Sequence, residues 1–393
     1  MKLLLNLFLY PLSALAPRSR RRWVFGYLNN KFLGNPKYLF LWMALNRPDL
    51  HVSWITGSEA TRRMLRHNGF RAYRRWSPAG VWAALRAGVY VFAHEVSSVN
   101  LQLSKGAFLV NLWHGVGPKG VKYGYKGGGP SPIPGGGGMI ARARALVHTL
   151  SPDIVVTTSD FMQEHYARQF RLAPEDCPQL GYPRLDCSAD PRLMTVVKAL
   201  DRAEGFAFNP GAFDEVYIYL PTFRDTQRPF LEQALPDLDR LSRVLAGRKA
   251  LLWIKPHIWT EWRLPPGHDN IRRWPEEIDF NPYLSEFTGL VTDYSSVLYD
   301  YLHERPTGAI LYTFDYEEYL SKDRTLLYPF EENIAGLRVS TFDALCLAIE
   351  KGSAFDPALA ADVERIRRRY WGGSPRPASP AIVDHVERRL GTA

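Results

Sequence analysis

Two kinds of apolar pattern alternate along the chain. Short, almost continuous apolar runs at 23–27, 51–55, 89–93, 107–112 and 154–157 read as strands covered on both faces. Between them, 36–46, 59–67, 78–86 and 160–169 read as the intervening helices. Pro36 and Pro78 open two of these segments, where a missing N–H costs nothing. Beyond a polar helical stretch ending near Pro210 the alternation resumes, with strands at 215–220, 250–254, 289–292 and 308–313 and a helix at 296–304. Helices at 360–369 and 380–389 are basic and amphipathic. The pattern predicts an α/β protein whose strands lie in parallel sheets joined by crossover helices.

Length turns this into two lobes. The chain has 393 residues, more than one ordinary core holds and comfortable for two of roughly 150 to 200 residues. Residues 23–195 and 205–372 form the expected lobes, with a last helix in 373–393. Hydrophobic residues make up 46% and charged residues 23%, which excludes a disordered chain. The formal net charge of +9 favours anionic partners. Cys177, Cys187 and Cys346 have no metal-binding spacing, and their sparse, odd number fits a reducing compartment.

Two segments depart from the alternation. Residues 3–16 are almost wholly apolar and are followed by Arg18, Arg20, Arg21 and Arg22. Some 14 apolar residues are short of the ~20 needed to span a bilayer. The segment 1–22 therefore reads as a helix in the membrane interface with its arginines on anionic lipid, or as a first helix packed on the protein. Between Gly117 and Gly138, two glycine clusters surround Pro130, Pro132 and Pro134. The spacing is not that of a dinucleotide-binding loop, and prolines offer no N–H to a phosphate. A lid over a site and a plain loop both fit.

Candidate chemistry gathers at strand ends, where open α/β sheets bind ligands. His114 lies in Trp113-His-Gly-Val-Gly-Pro-Lys119, just after an apolar run, and an imidazole can take a proton near neutral pH. Arg224 follows the strand at 215–220 within Pro221-Thr-Phe-Arg-Asp225, and Lys255 and His257 follow the strand at 250–254. Asp293, Ser295, Ser296 and Asp300 close the strand at 289–292 and open the next helix. A helix start carries unpaired N–H groups and a partial positive charge, so this end suits a phosphate, although Ser295 also suits simple capping. Arg224, Lys255 and His257 on neighbouring strands favour a diphosphate clamp.

These motifs, with Gly181-Tyr-Pro-Arg-Leu-Asp186, Gly34-Asn-Pro-Lys-Tyr38 and Asp315-Tyr-Glu-Glu-Tyr319, resemble the CDP-glycerol glycerophosphotransferase family of teichoic-acid and capsule type polyol-phosphate transferases. The likeness runs from about residue 30 to about 335. It departs at Val116 and Gly117, where the family carries Thr-Pro, and at Phe223, where tryptophan is common.

The resemblance implies a GT-B-like fold, two Rossmann-like lobes with parallel sheets facing across a cleft, the first for the acceptor and the second for a CDP-alditol. It implies transfer of glycerol phosphate from CDP-glycerol to a hydroxyl of a lipid-linked or polysaccharide acceptor, with release of CMP. His114 would act as base and His257 at the diphosphate. Arg224, Lys255, Asp293, Ser295, Ser296 and Asp300 would hold the donor, with Gly115 and Lys119 on the acceptor side. No obligatory metal and no cofactor are expected. The setting implied is peripheral, on the cytoplasmic face of the plasma membrane, with an anionic membrane surface as a partner.

The rival readings are ribitol-phosphate transfer from CDP-ribitol and a glycosyltransferase using a nucleotide sugar. Nucleic acid is not an expected partner, since the arginines are scattered and no binding motif is present.

Overall fold

The computed structural model describes residues 8–122, 150–224, 226, 229–257, 260, 262–322 and 327–392. It divides into two units, one formed by residues 1–114, 121–203 and 373–393 and the other by 115–120 and 204–372.

The first unit is built on a six-stranded parallel sheet. Its strands are β1 (Ser19–Phe25), β2 (His51–Thr56), β3 (Ala72–Arg74), β4 (Ala87–Phe92), β5 (Phe108–Asn111) and β6 (Ile154–Val155), in the order β3-β2-β1-β4-β5-β6. Central β1 pairs Trp23 with Val52 on one side and with Val89 on the other, and all three side chains are buried. Helices α1 (Gly34–Asn46), α2 (Glu59–His67), α3 (Pro78–Arg86), α4 (Asp160–Phe170) and α5 (Pro191–Ala203) flank the sheet.

The second unit repeats the plan with β7 (Glu215–Leu220), β8 (Ala250–Ile254), β9 (Ile271–Arg273), β10 (Gly289–Thr292), β11 (Ala309–Tyr312) and β12 (Leu337–Val339), ordered β12-β11-β10-β7-β8-β9 and again parallel. Its main helices are α6 (Leu238–Gly247), α7 (Val297–Glu304), α8 (Tyr316–Lys322), α9 (Phe342–Lys351) and α10 (Ala360–Trp371). One face of its core gathers Tyr219, Leu252, Ile310, Leu345 and Ile349. In each sheet the chain works outward from one central strand and then restarts beside it. This leaves a switch point between β1 and β4 in the first unit and between β7 and β10 in the second. Ligands of open α/β sheets bind at such points.

The last helix, α11 (Ala378–Leu390), belongs to the first unit. Asp186, buried in the Gly181–Asp186 motif, accepts hydrogen bonds from Ala378 N at 2.7 Å, Ser379 N at 2.8 Å and Ser379 Oγ at 2.5 Å. A carboxylate from elsewhere in the chain thus caps this helix. Arg47 adds a two-bond pair to Glu387 at 2.8 and 2.7 Å.

Arg20, Arg21 and Arg22 lie in β1 rather than at the end of an interfacial helix, because this strand starts four residues earlier than its apolar run. Arg18 donates to the carbonyls of Ala87 and Leu103, both at 2.7 Å, and of Lys105 at 2.8 Å, so its guanidinium ties protein segments together. Preceding it, the helical turns of residues 8–15 leave Phe8, Leu12 and Leu15 exposed. Residues 1–7 lie outside the described residues, as does 123–149, which includes 123–138 of the expected lid. Among the described residues no helix is long and apolar enough to cross a membrane.

Candidate functional site

In the first unit, buried asparagines build the turn that carries His114. β5 ends at Asn111, whose amide donates to His94 O at 3.3 Å while its Oδ1 accepts Trp113 N at 2.8 Å. Asn35, at the start of α1, donates to Leu112 O at 3.1 Å and to Trp113 O at 3.0 Å and accepts Arg184 N at 3.3 Å. The Gly34–Tyr38 motif therefore serves the turn from below, and Arg184 of the Gly181–Asp186 motif is fixed beside it. Trp113 sits at φ +51°, a conformation costing an ordinary residue of order 1–3 kcal/mol. Hydrogen bonds to its own N and O and to Leu112 O hold it there.

His114 is exposed to solvent, with Nδ1 3.2 Å from Ala93 O. A carbonyl only accepts, so Nδ1 carries the proton and Nε2 keeps a free lone pair. The ring stacks on His94 at 4.3 Å and 5° and touches Trp113 at 4.1 Å. Desolvation pushes His114 down to about 4, against the pull of Ala93 O, and Arg184 lowers it further. One side of the ring meets water, so desolvation is incomplete. The lowered pKa leaves the imidazole neutral near pH 7.

His94 was not singled out in the sequence. It follows β4 at the switch point of the first sheet, and its Nδ1 is buried without a hydrogen-bond partner. Burial and the neighbouring His114 hold it well below the usual imidazole range. A polar residue directly after an apolar run was the available signal.

In the second unit, His257 is exposed just beyond β8, its ring 4.8 Å from that of Phe223, which follows β7. Ser295 and Ser296 are partly exposed at the start of α7. Ser296 is the N-cap residue, yet its hydroxyl makes no capping bond, and Ser295 Oγ meets Val297 N only at 3.4 Å. The capping explanation for this pair is therefore weak. β10, β7 and β8 are consecutive in the sheet, so the serines, Phe223 and His257 line one edge across the switch point.

Other expected donor contacts sit differently. Arg224 is fully buried, bonded to Asp315 at 2.8 and 2.9 Å, to Asp293 at 3.0 Å and to Thr222 O at 2.6 Å. Its guanidinium packs against the rings of Phe230, Tyr319 and Tyr294. Burial alone would lower its pKa, but the charges and hydrogen bonds of Asp293 and Asp315 raise it. Asp293 is buried and also accepts from Thr222 N and Tyr294 N. Arg224 and Asp293 thus commit polar atoms to each other within the protein.

Asp300 is buried too. Lys255 donates to the carbonyls of Pro275, Glu276 and Ile278 at 2.8 to 3.1 Å, fixing the loop after β9. Asp225 lies outside the described residues.

The chain passes to the second unit between His114 and Gly115. Gly115 is buried, Pro118 O accepts Leu327 N at 3.3 Å, and Lys119 Nζ lies 5.8 Å from the Tyr319 ring centre. A Cβ on Gly117, at φ +148°, would come within 3.3 Å of Tyr299 and 3.6 Å of Ser296. Glycine lets the backbone pass this close to the start of α7. Among the described residues no group of three His, Cys, Asp or Glu side chains could hold a metal ion.

Comparison with known proteins matches residues 9–388 to the family described as CDP-Glycerol:Poly(glycerophosphate) glycerophosphotransferase. The teichoic acid poly(ribitol-phosphate) polymerase of Bacillus spizizenii is 29% identical over 260 residues, 64% of this chain and 39% of that protein. The teichoic acid ribitol-phosphate primase of the same organism is 26% identical over 242 residues, 61% of this chain and 60% of that protein. The matched region thus covers less than two thirds of either relative. Among solved structures, the wall teichoic acid polymerase TagF superposes with a TM-score of 0.75 at 19% identity, over 99% of this chain and 92% of that one. A UDP-N-acetylglucosamine 2-epimerase from Listeria monocytogenes, described as putative in its own name, gives 0.53 at 12% identity, over 94% and 97%. The fold is GT-B-like.

Proposed function

Because the chain belongs to the CDP-glycerol:poly(glycerophosphate) glycerophosphotransferase family, we propose that it transfers glycerol phosphate from CDP-glycerol to a hydroxyl of a lipid-linked or polysaccharide acceptor in surface-glycan synthesis. The acceptor oxygen attacks the phosphorus that bears glycerol. The bond from that phosphorus to the bridging oxygen breaks, CMP leaves with the electron pair, and the acceptor proton passes to His114 Nε2. His257 and the start of α7, with Ser295 and Ser296, neutralise the diphosphate. Arg224, Asp293 and Asp315 act one step back, by fixing the strand ends that carry these groups.

The observation that carries this reading is the state of His114. It is solvent-exposed, neutral, and locked by Ala93 O into the tautomer that presents Nε2 as a base. Support for the donor comes from the family and from the TagF structures that include a CDPG soak. The names of the two Bacillus relatives favour a second reading, transfer of ribitol phosphate from CDP-ribitol. Exposed Phe8, Leu12 and Leu15 support a peripheral hold on a membrane surface.

The test uses donors labelled in the phosphate next to the alditol. Label in the acceptor and unlabelled CMP in solution establish phosphoryl transfer, and label retained on the nucleotide refutes it. Parallel CDP-glycerol and CDP-ribitol arms choose the alditol.

A further inference from the structure

A second concave site lies in the first unit, on strands remote from the histidines. A depression of about 350 Å³ is lined by Glu59, Arg62, Arg66, Tyr73, Arg74 and Ser77. α2 supplies Glu59, Arg62 and Arg66 at helical spacing along one face. β3 ends at Arg74, and Ser77 caps the following helix α3.

The carboxylate of Glu59 organises the cations around it. It accepts two bonds from Arg62, at 2.9 and 2.6 Å, and one from Arg63 at 2.9 Å, and it lies 4.0 Å from Arg74. Arg66 is exposed and has no ion-pair partner among the described residues. Three guanidinium groups, of Arg62, Arg63 and Arg74, thus share one carboxylate, and Arg66 adds a fourth positive charge to the lining of the hollow. Such a cluster repels itself unless an anion enters, and guanidinium forks match phosphate oxygens two at a time.

Position narrows the anion further. All strands of this sheet run parallel, so the hollow after β3 and the His114 turn after β5 open on the same edge. Four strand spacings separate β3 from β5 in the order β3-β2-β1-β4-β5, a distance of roughly 19 Å at ~4.8 Å per strand. A single small acceptor cannot touch both places, whereas a chain of repeating phosphates can. The hollow is also concave, which suits a chain segment better than a planar headgroup layer.

Resting on the transfer reading above, we propose that this depression is a phosphate subsite for an acceptor that is itself a chain of alditol phosphates. It holds a phosphodiester several repeats behind the reacting hydroxyl.

The experiment compares the full-length protein with the R66A/R74A double variant. Calorimetric titration with soluble poly(glycerol phosphate) should show binding weakened at least ~10-fold in the variant, the scale of one lost charge-assisted hydrogen bond, and less sensitive to salt. In turnover, long acceptors should have a lower KM than a one-repeat acceptor for the natural protein, and the variant should lose that advantage. Unchanged polymer affinity with an unchanged length effect overturns the subsite. Loss of binding to anionic vesicles with polymer affinity intact assigns the arginines to lipid and overturns it equally. The titration needs no turnover, so absence of CMP release would defeat the transfer reading while leaving the subsite separately tested.

Discussion

A neutral imidazole is the form that accepts a proton, and the surroundings of His114 favour it. Its lowered pKa moves the acid limb of kcat/KM well below the usual 6.5 and toward about 4. A limb near 6.5 would show that the fold does not lower the pKa of this ring. His94 is stacked on it at 4.3 Å. Replacing His94 with alanine admits water against the His114 ring and lessens its desolvation, so the limb should shift toward higher pH. Removing the proposed base, as His114→Ala, should cut turnover by at least ~100-fold with circular dichroism unchanged.

Stability follows the same sign. Both rings are harder to protonate in the fold, so the unfolded chain binds more protons once pH drops below about 6.5, and stability falls from there as acid is added. Arg224 gives an opposite kind of test. Arg224→Ala would strand Asp293 and Asp315 as buried carboxylates, a loss of about 3–5 kcal/mol in denaturant unfolding. An unchanged midpoint with lost donor affinity would instead restore the direct contact expected from sequence.

Strands and helices show what was legible in the residues and why. Long apolar runs announced β1, β2, β4, β5, β7, β8, β10 and β11 to within a few residues, because strands covered on both faces need continuous apolar sequence. β3, β9 and β12 went unseen. Each is a three-residue sheet edge and each contains arginine: Ala72-Tyr-Arg74, Ile271-Arg-Arg273 and Leu337-Arg-Val339. Too short for periodicity, they are defined by the neighbour they pair with.

The candidate groups divided in a similar way. His114, His257, Ser295 and Ser296 were readable as polar residues after strands and remain accessible. Arg224 and Asp293 looked the same in sequence, but burial and mutual pairing depend on which strands are neighbours. Lys255 hides its role for the same reason, since its three carbonyl partners lie some 20 residues further on. The cap on α11 is a longer-range case still, with Asp186 and Ser379 separated by 193 positions. Asp186→Ala should cost about 2 kcal/mol or more and raise amide exchange first in 378–390, since a buried multi-bond cap is lost. Exchange that rises only elsewhere would contradict the capping role.

The return of the C-terminus to the first unit makes the two halves unequal in what each needs from the chain. β7 to β12 and their helices are complete by Gly372, whereas the first unit lacks a packed face until α11 arrives. Ile382, Val383 and Val386 are fully buried in that face. At about 1.5–3 kcal/mol per buried aliphatic side chain, their loss approaches the whole stability of an ordinary domain. The Arg47–Glu387 pair and the Asp186 cap would go with them. A chain ending after Gly372 should therefore lose protection across β1, β2, β4 and β5 in hydrogen exchange while the second sheet stays protected. CDP-glycerol binding should survive, since the groups assigned to the diphosphate all lie in the second unit, and transfer should vanish with the His114 turn. Equal loss of protection in both sheets would show that the units fold as one. Transfer that persists in the truncated chain would place the base elsewhere than on the turn that Asn35 and Asn111 hold.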